Sequence, residues 1–156
     1  MLSLKELVLL AYLSGHKELA GISDLPSLKE KECRESIAML KDKGMVNIYD
    51  KKASVDAALG FVLHTMCTPL LIIQLPNGAL GYAAKKIFIY ACGDRYSRDR
   101  RIITPVPTAA EAANVLWDNA DHVFDEVQLK LYENKDWKDK AVSKPALIRI
   151  LSEVME

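Results

Sequence analysis

Apolar residues along the chain follow two different periods, and the changes between them outline a fold. Leu4, Leu7, Val8 and Leu10 recur at helical spacing from Leu4 to Leu13, and Gly15 supplies a stop. Cys33, Ile37 and Leu40 do the same in a second helix predicted from Leu28 to about Lys43, with Gly44 as its left-handed cap. A third helix is expected from Ser54 to Met66, where Val55, Ala58, Leu59, Val62, Leu63 and Met66 share a stripe and Pro69 ends it. Leu116, Ala120, Val123, Phe124, Val127 and Leu131 fit a helical face, which predicts a long fourth helix from Thr108 to about Tyr132. Glu133 to Ala141 is a polar break. Ser143 then caps a last helix running to Met155, with Pro145 in its first turn. Its stripe is Leu147, Ile150, Leu151 and Val154.

Helix starts are also marked by capping boxes, in which a Ser or Thr side chain accepts from a first-turn N–H and a Glu reaches back. The pairs are Ser3/Glu6, Ser27/Glu30 and Thr108/Glu111. Strand signals lie between the helices. Met45 to Tyr49 alternates, with Val46 and Ile48 on one face. Leu70 to Leu75 is a strand candidate followed by the turn Pro76-Asn77-Gly78. Leu80 to Cys92 reads as one long or bent strand and Arg101 to Val106 as another, with Gly93 to Arg100 a polar hairpin loop between them. Strands joined by tight turns predict an antiparallel meander. The expected architecture is α+β in a single domain spanning 1–156. Winged-helix-like helices come first, then a central antiparallel sheet of three to four strands, then C-terminal helices packed on it.

Around Ile87 the alternation fails in an informative way. Ile87, Ile89 and Ala91 lie on one face, and Phe88, Tyr90 and Cys92 on the other. A sheet with one wet face would show polar residues on it. Both faces must therefore be covered, by the chain's own helices or by a partner.

Composition narrows the function classes. Half of the 156 residues are hydrophobic and 27% are charged, as in soluble globular proteins. The 21 basic and 21 acidic residues cancel, so nucleic acid is not favoured. Cys33, Cys67 and Cys92 are scattered among apolar neighbours, without the spacing of a zinc site or a disulfide framework. Free thiols fit a reducing, cytoplasmic setting. The stretch from Ala57 to Ala84 lacks formal charge, but Pro69, Gln74 and Asn77-Gly78 interrupt it, so membrane insertion is not expected.

Residues that could carry chemistry stand apart. His16, His64 and His122 are far apart in sequence. Asp118, Asp121 and Asp125 would share one face of the fourth helix, where a solvated surface is the simplest reading. No catalytic motif, cofactor or metal is expected. Arg95, Tyr96, Arg98, Arg100 and Arg101 cluster in the predicted loop, and Arg and Tyr suit contact hot spots. Partner binding is therefore expected from Phe88 and Tyr90 on the second sheet face, with Arg95, Tyr96 and Arg98 at its rim.

Two resemblances follow. Leu40-Lys41-Asp42-Lys43-Gly44-Met45-Val46 looks like the close of a winged helix, which would imply a DNA-binding transcriptional regulator using Lys29, Lys31 and Arg34. More of the chain resembles the EspG-like proteins of type VII (ESX) secretion. The features are the opening leucine-rich helix, Arg34 to Val46, Val55 to Met66 leading into Thr68-Pro69-Leu70, the hairpin sheet, and Thr104 to Leu116 passing from strand to helix. This chain would be a single-lobe form. The resemblance implies a cytosolic chaperone or adaptor that binds the helical-hairpin tip of secreted substrate proteins without catalysis, and a homodimer is a natural arrangement.

Overall fold

In the computed structural model, residues 2–16, 19–20, 29–50, 52–94 and 97–156 are described, with 94 and 97–99 described by their backbone alone. The elements in order are β1 (Leu2–Ser3), α1 (Leu4–Leu13), α2 (Glu30–Asp42), β2 (Val46–Tyr49), β3 (Lys52–Val55), α3 (Ala57–Cys67), β4 (Leu71–Gln74), β5 (Leu80–Ala84), β6 (Ile87–Asp94), β7 (Ser97–Val106), α4 (Ala109–Asp118), β8 (His122–Val123), β9 (Glu126–Glu133), β10 (Asp136–Ser143) and α5 (Lys144–Met155). The chain is α+β, but the sheet is far larger than three to four strands. Eight strands form it, in the order β1-β7-β6-β5-β4-β9-β10 with β8 also paired to β9. Every pairing is antiparallel.

The expectation of a long fourth helix is overturned. That helix stops at Asp118, and the rest of the predicted span becomes β8 and β9. Val127, Leu129 and Leu131 are buried while Gln128 and Lys130 are exposed, a period of two. The expected polar break after it is mostly β10, reached through a two-residue turn with Asn134 and Lys135 both at positive φ. The expected strand from Leu80 to Cys92 is likewise two strands, turning at Lys85-Lys86, where Lys86 has φ +61. β3 takes the first residues assigned to the third helix, which starts instead from an Asp56 cap.

The central strands of the sheet, β4, β5 and β6, are covered on both sides by the chain itself. Phe88, Tyr90, Leu71, Ile73, Val127, Leu129 and Leu131 share one apolar cluster with α4 and α5. Ile72, Tyr82, Ile89 and Ala91 share the other with α1, α3 and Leu40 of α2. This corrects the winged-helix-like assignment. Leu7 and Leu10 of α1 are fully buried in the cluster that holds the sheet residues, so the first helices form one layer on the sheet and not a separate helical unit. Burying a leucine contributes roughly 1.5–3 kcal/mol, so that layer is a major part of the core. Among the described residues, no helix is long and apolar enough to cross a membrane.

Local signals set the helix ends. The Ser3/Glu6 box closes in both directions. Thr108 accepts from the Glu111 N–H. Ser27 lies outside the described residues, and α2 begins after Lys29 with no side-chain cap. α1 and α2 both end in a Schellman pattern on a glycine. Gly15 (φ +88) lets His16 N–H reach the Ala11 carbonyl, and Gly44 (φ +75) lets Met45 N–H reach that of Leu40. Glu6 also joins these helices, because its second carboxylate oxygen takes Lys43 Nζ at 3.2 Å. Lys5 meets Glu32 at 2.9 Å beside it.

Gly81 has a packing reason. A Cβ there would lie 2.3 Å from Phe88 Cζ and 2.8 Å from Cε2, so the phenyl ring occupies the place of a side chain. Gly81→Ala should destabilise the fold by about 1–3 kcal/mol, the usual penalty of overpacking. A urea melt checks this, and pairing it with Phe88→Leu should recover part of the loss. Glu6 gives a pH prediction. Burial raises its pKa, but the Ser3 backbone N–H, Lys43 and the Ser3 hydroxyl together outweigh burial and hold it below its ordinary value. A carboxylate depressed on folding adds stability above its unfolded pKa and loses it as pH falls through the folded one. Acid titration of stability should show this loss below the ordinary carboxylate range, and Glu6→Gln should flatten it.

Candidate protein-binding surface

α4 and β9 are joined by a short path that carries an unusual hairpin. β8 and β9 pair through His122 with Val127 and Val123 with Glu126, leaving Phe124 and Asp125 as the turn. Both turn residues have positive φ, +53 and +61. Two-residue hairpins of this kind favour Asn and Gly there, because a Cβ crowds the left-handed region. Phe124 is 95% exposed and Val123 57%. Asp118, Asp121, Asp125 and Glu126 surround them in sequence, and all are exposed.

The base of the hairpin is anchored. The His122 ring stacks on Trp117 with centroids 4.1 Å apart, and its Nε2 donates to the Trp117 carbonyl oxygen. Trp117 in turn packs against the α4–α5 core. Asn119 Nδ2 donates to the Val115 carbonyl at 2.7 Å, closing the end of α4. Asn77 Nδ2 donates to the Asn119 carbonyl at 3.3 Å, which ties the β4–β5 turn to the same end of the sheet. Next to it is an open cleft of about 210 Å³ lined by Gln74, Pro76, Gln128, Lys130 and Asp139. Leu75 and Leu129 line it as well, so its walls are mixed polar and apolar.

The residues proposed from sequence are distributed differently. Phe88 is fully buried and Tyr90 is 7% exposed, both beneath α4 and α5. Burial pushes the Tyr90 hydroxyl pKa up. Neither offers a side chain to a partner in this fold. Arg95 and Tyr96 lie outside the described residues. Arg98 falls within β7, separated from β9 in the sheet by β6, β5 and β4. Asp118, Asp121 and Asp125 do not share a helix face, because only Asp118 is in α4. On α2, Arg34 pairs with Glu30 and Lys5 of α1 pairs with Glu32, so Lys31 and Arg34 alternate with acids.

Two further groupings were not visible in the sequence. His16 and His64 meet, with Nε2 and Nδ1 3.3 Å apart, and Thr68 Oγ1 lies 3.3 Å from His64 Nε2. Tyr82 is buried with its hydroxyl unpaired, and Cys67 is pushed up to about 11 by burial, which makes its thiol a poor nucleophile. Among the described residues, no three His, Cys, Asp or Glu side chains come together to hold a metal.

No protein-family model matches the chain, and no curated protein or solved structure matches it either. The EspG-like resemblance therefore rests on the sequence features quoted for it.

The strain at the tip can be measured. Phe124 makes little packing contact to lose, and Asn tolerates the left-handed region. Phe124→Asn should therefore stabilise the protein by about 1 kcal/mol, read as a higher Tm. A lower Tm would show that the phenyl ring packs within the fold.

Proposed function

We propose that this chain is a protein-binding adaptor whose contact element is the β8–β9 tip. It would act as the EspG-like resemblance implies, as a cytoplasmic chaperone that holds a helical-hairpin secretion substrate without chemistry on it. The observation that carries this reading is Phe124, a 95% exposed aromatic side chain in left-handed backbone. Folding alone gives no reason for that residue, since it buries nothing there and strains the turn. Aromatic side chains on a preorganised support are what interface centres use. The stack of His122 on Trp117 supplies the support.

Other exposed apolar groups fit less well. Tyr12 and Tyr49 are exposed too, but each keeps a hydroxyl for water, and Phe61, Leu70, Met39, Ile48 and Ile102 are less exposed than Phe124 and sit in unstrained backbone. The partner is thus met at an end of the sheet and not across its face, which α4 and α5 already cover. A second copy of the chain could seat the same tip, which is the form a homodimer would take.

The test uses the intact protein and candidate secreted helical-hairpin proteins encoded near it, with mass measured by light scattering. A defined mixed complex that Phe124→Ser disrupts, with Tm unchanged or raised, is the expected result. Complexes indifferent to that substitution would sink the assignment of the tip. Failure to bind any such protein, with unaltered mass at every concentration, would sink the chaperone reading itself.

A further inference from the structure

We infer that the partner seated on the β8–β9 tip is a basic protein segment, an apolar helix face or groove rimmed by Lys and Arg. This rests on the protein-binding reading above and adds the chemistry of the occupant.

Charge along the chain carries it. Overall the two signs balance, 21 against 21. From Ile102 to Leu129, however, the chain contains Glu111, Asp118, Asp121, Asp125 and Glu126 and no Lys or Arg. All but Glu111 lie between the last residue of α4 and the first of β9, around the exposed Val123 and Phe124. His122 is the other titratable group there, and it faces the Trp117 ring. The cations nearest by register are Lys144, which follows the Ser143 opposite Glu126, and Lys140, opposite Leu129, so the four carboxylates remain in excess at the tip. Anything that seats Phe124 comes within a Debye length, about 8 Å at physiological salt, of carboxylates adjacent to it in the chain.

These charges choose among occupants. An exposed phenyl ring is also suited to a bilayer interface, but an anionic leaflet repels four neighbouring carboxylates. A neutral apolar pocket takes the ring but leaves carboxylates at its rim partly desolvated without compensation. A basic rim compensates them and speeds encounter.

The experiment uses two synthetic helical peptides with the same apolar face, one rimmed by Lys and Arg and the other by Glu, and vesicles containing phosphatidylserine. Binding to the full chain is read by fluorescence anisotropy for the peptides and by co-sedimentation for the vesicles. The basic peptide should bind at least about tenfold tighter than the acidic one, and should weaken about tenfold between low and high salt. Neutralising the tip as Asp118→Asn, Asp121→Asn, Asp125→Asn and Glu126→Gln should remove that preference, with Phe124→Ser removing binding. These side chains are exposed, and a thermal melt verifies that each variant is folded. Equal binding of both peptides, lost in Phe124→Ser, overturns the charge inference and leaves the adaptor reading standing. Vesicle binding that needs Phe124, or self-association by the tip in place of peptide binding, overturns it in favour of a membrane or a second copy. If a secreted hairpin protein binds through Phe124 while the basic peptide does not, the charge inference alone fails.

Discussion

Strand β6 has to be covered twice, and most of the structure follows from that. Phe88 and Tyr90 point one way, Ile89 and Ala91 the other, and all are buried. A single layer of helices would leave one of these faces wet, at a loss of roughly 25 cal/mol for each Å² of apolar surface. The chain meets the demand with helices from its two ends. α1 and α3 close one face and α4 and α5 the other. β4 and β5 share the requirement, since Leu71, Ile72 and Ile73 are all buried in succession. Gly81 belongs to the same constraint, because the covering ring of Phe88 takes the space its side chain would need.

Much of this was legible in local chemistry and little of it in range. Helix ends were readable wherever a cap or a glycine acted within one turn, as at Ser3/Glu6, Gly44 and Ser143. The double-faced strand was readable too, but sequence could not say what covers it, because the covering helices are distant in the chain. β9 was lost to a coincidence of periods. Val127 and Leu131 lie four apart and satisfy both a helix face and a strand face, and only Leu129 between them separates the two. The Lys85-Lys86 turn was hidden because it contains none of the residues that usually announce a turn. Its signal was instead a pair of charges inside an apolar run, which a buried strand could not hold.

The candidate site was least legible of all. As a helical residue Phe124 would have been core, and as a turn residue it is surface. The same side chain thus changes meaning with the secondary structure of its neighbours. The carboxylates around it change in the same way, from a solvated helix face to the border of an apolar tip. Phe88 and Tyr90 move in the other direction, from proposed contact residues to core, once α4 and α5 are in place.

The pairing of Leu2 with Arg101 gives the chain a temporal order as well as a shape. α1 leaves the ribosome before the strands against which Leu7, Leu9 and Leu10 are buried. Until β5, β6 and β7 have emerged, that helix has no sheet to lie on. β4 must wait longer still for β9, its second neighbour. The hairpins β5–β6, β6–β7 and β9–β10 can form between neighbours in the chain, but these late-meeting contacts slow completion of the core and lengthen the interval during which a leucine-rich segment is unprotected.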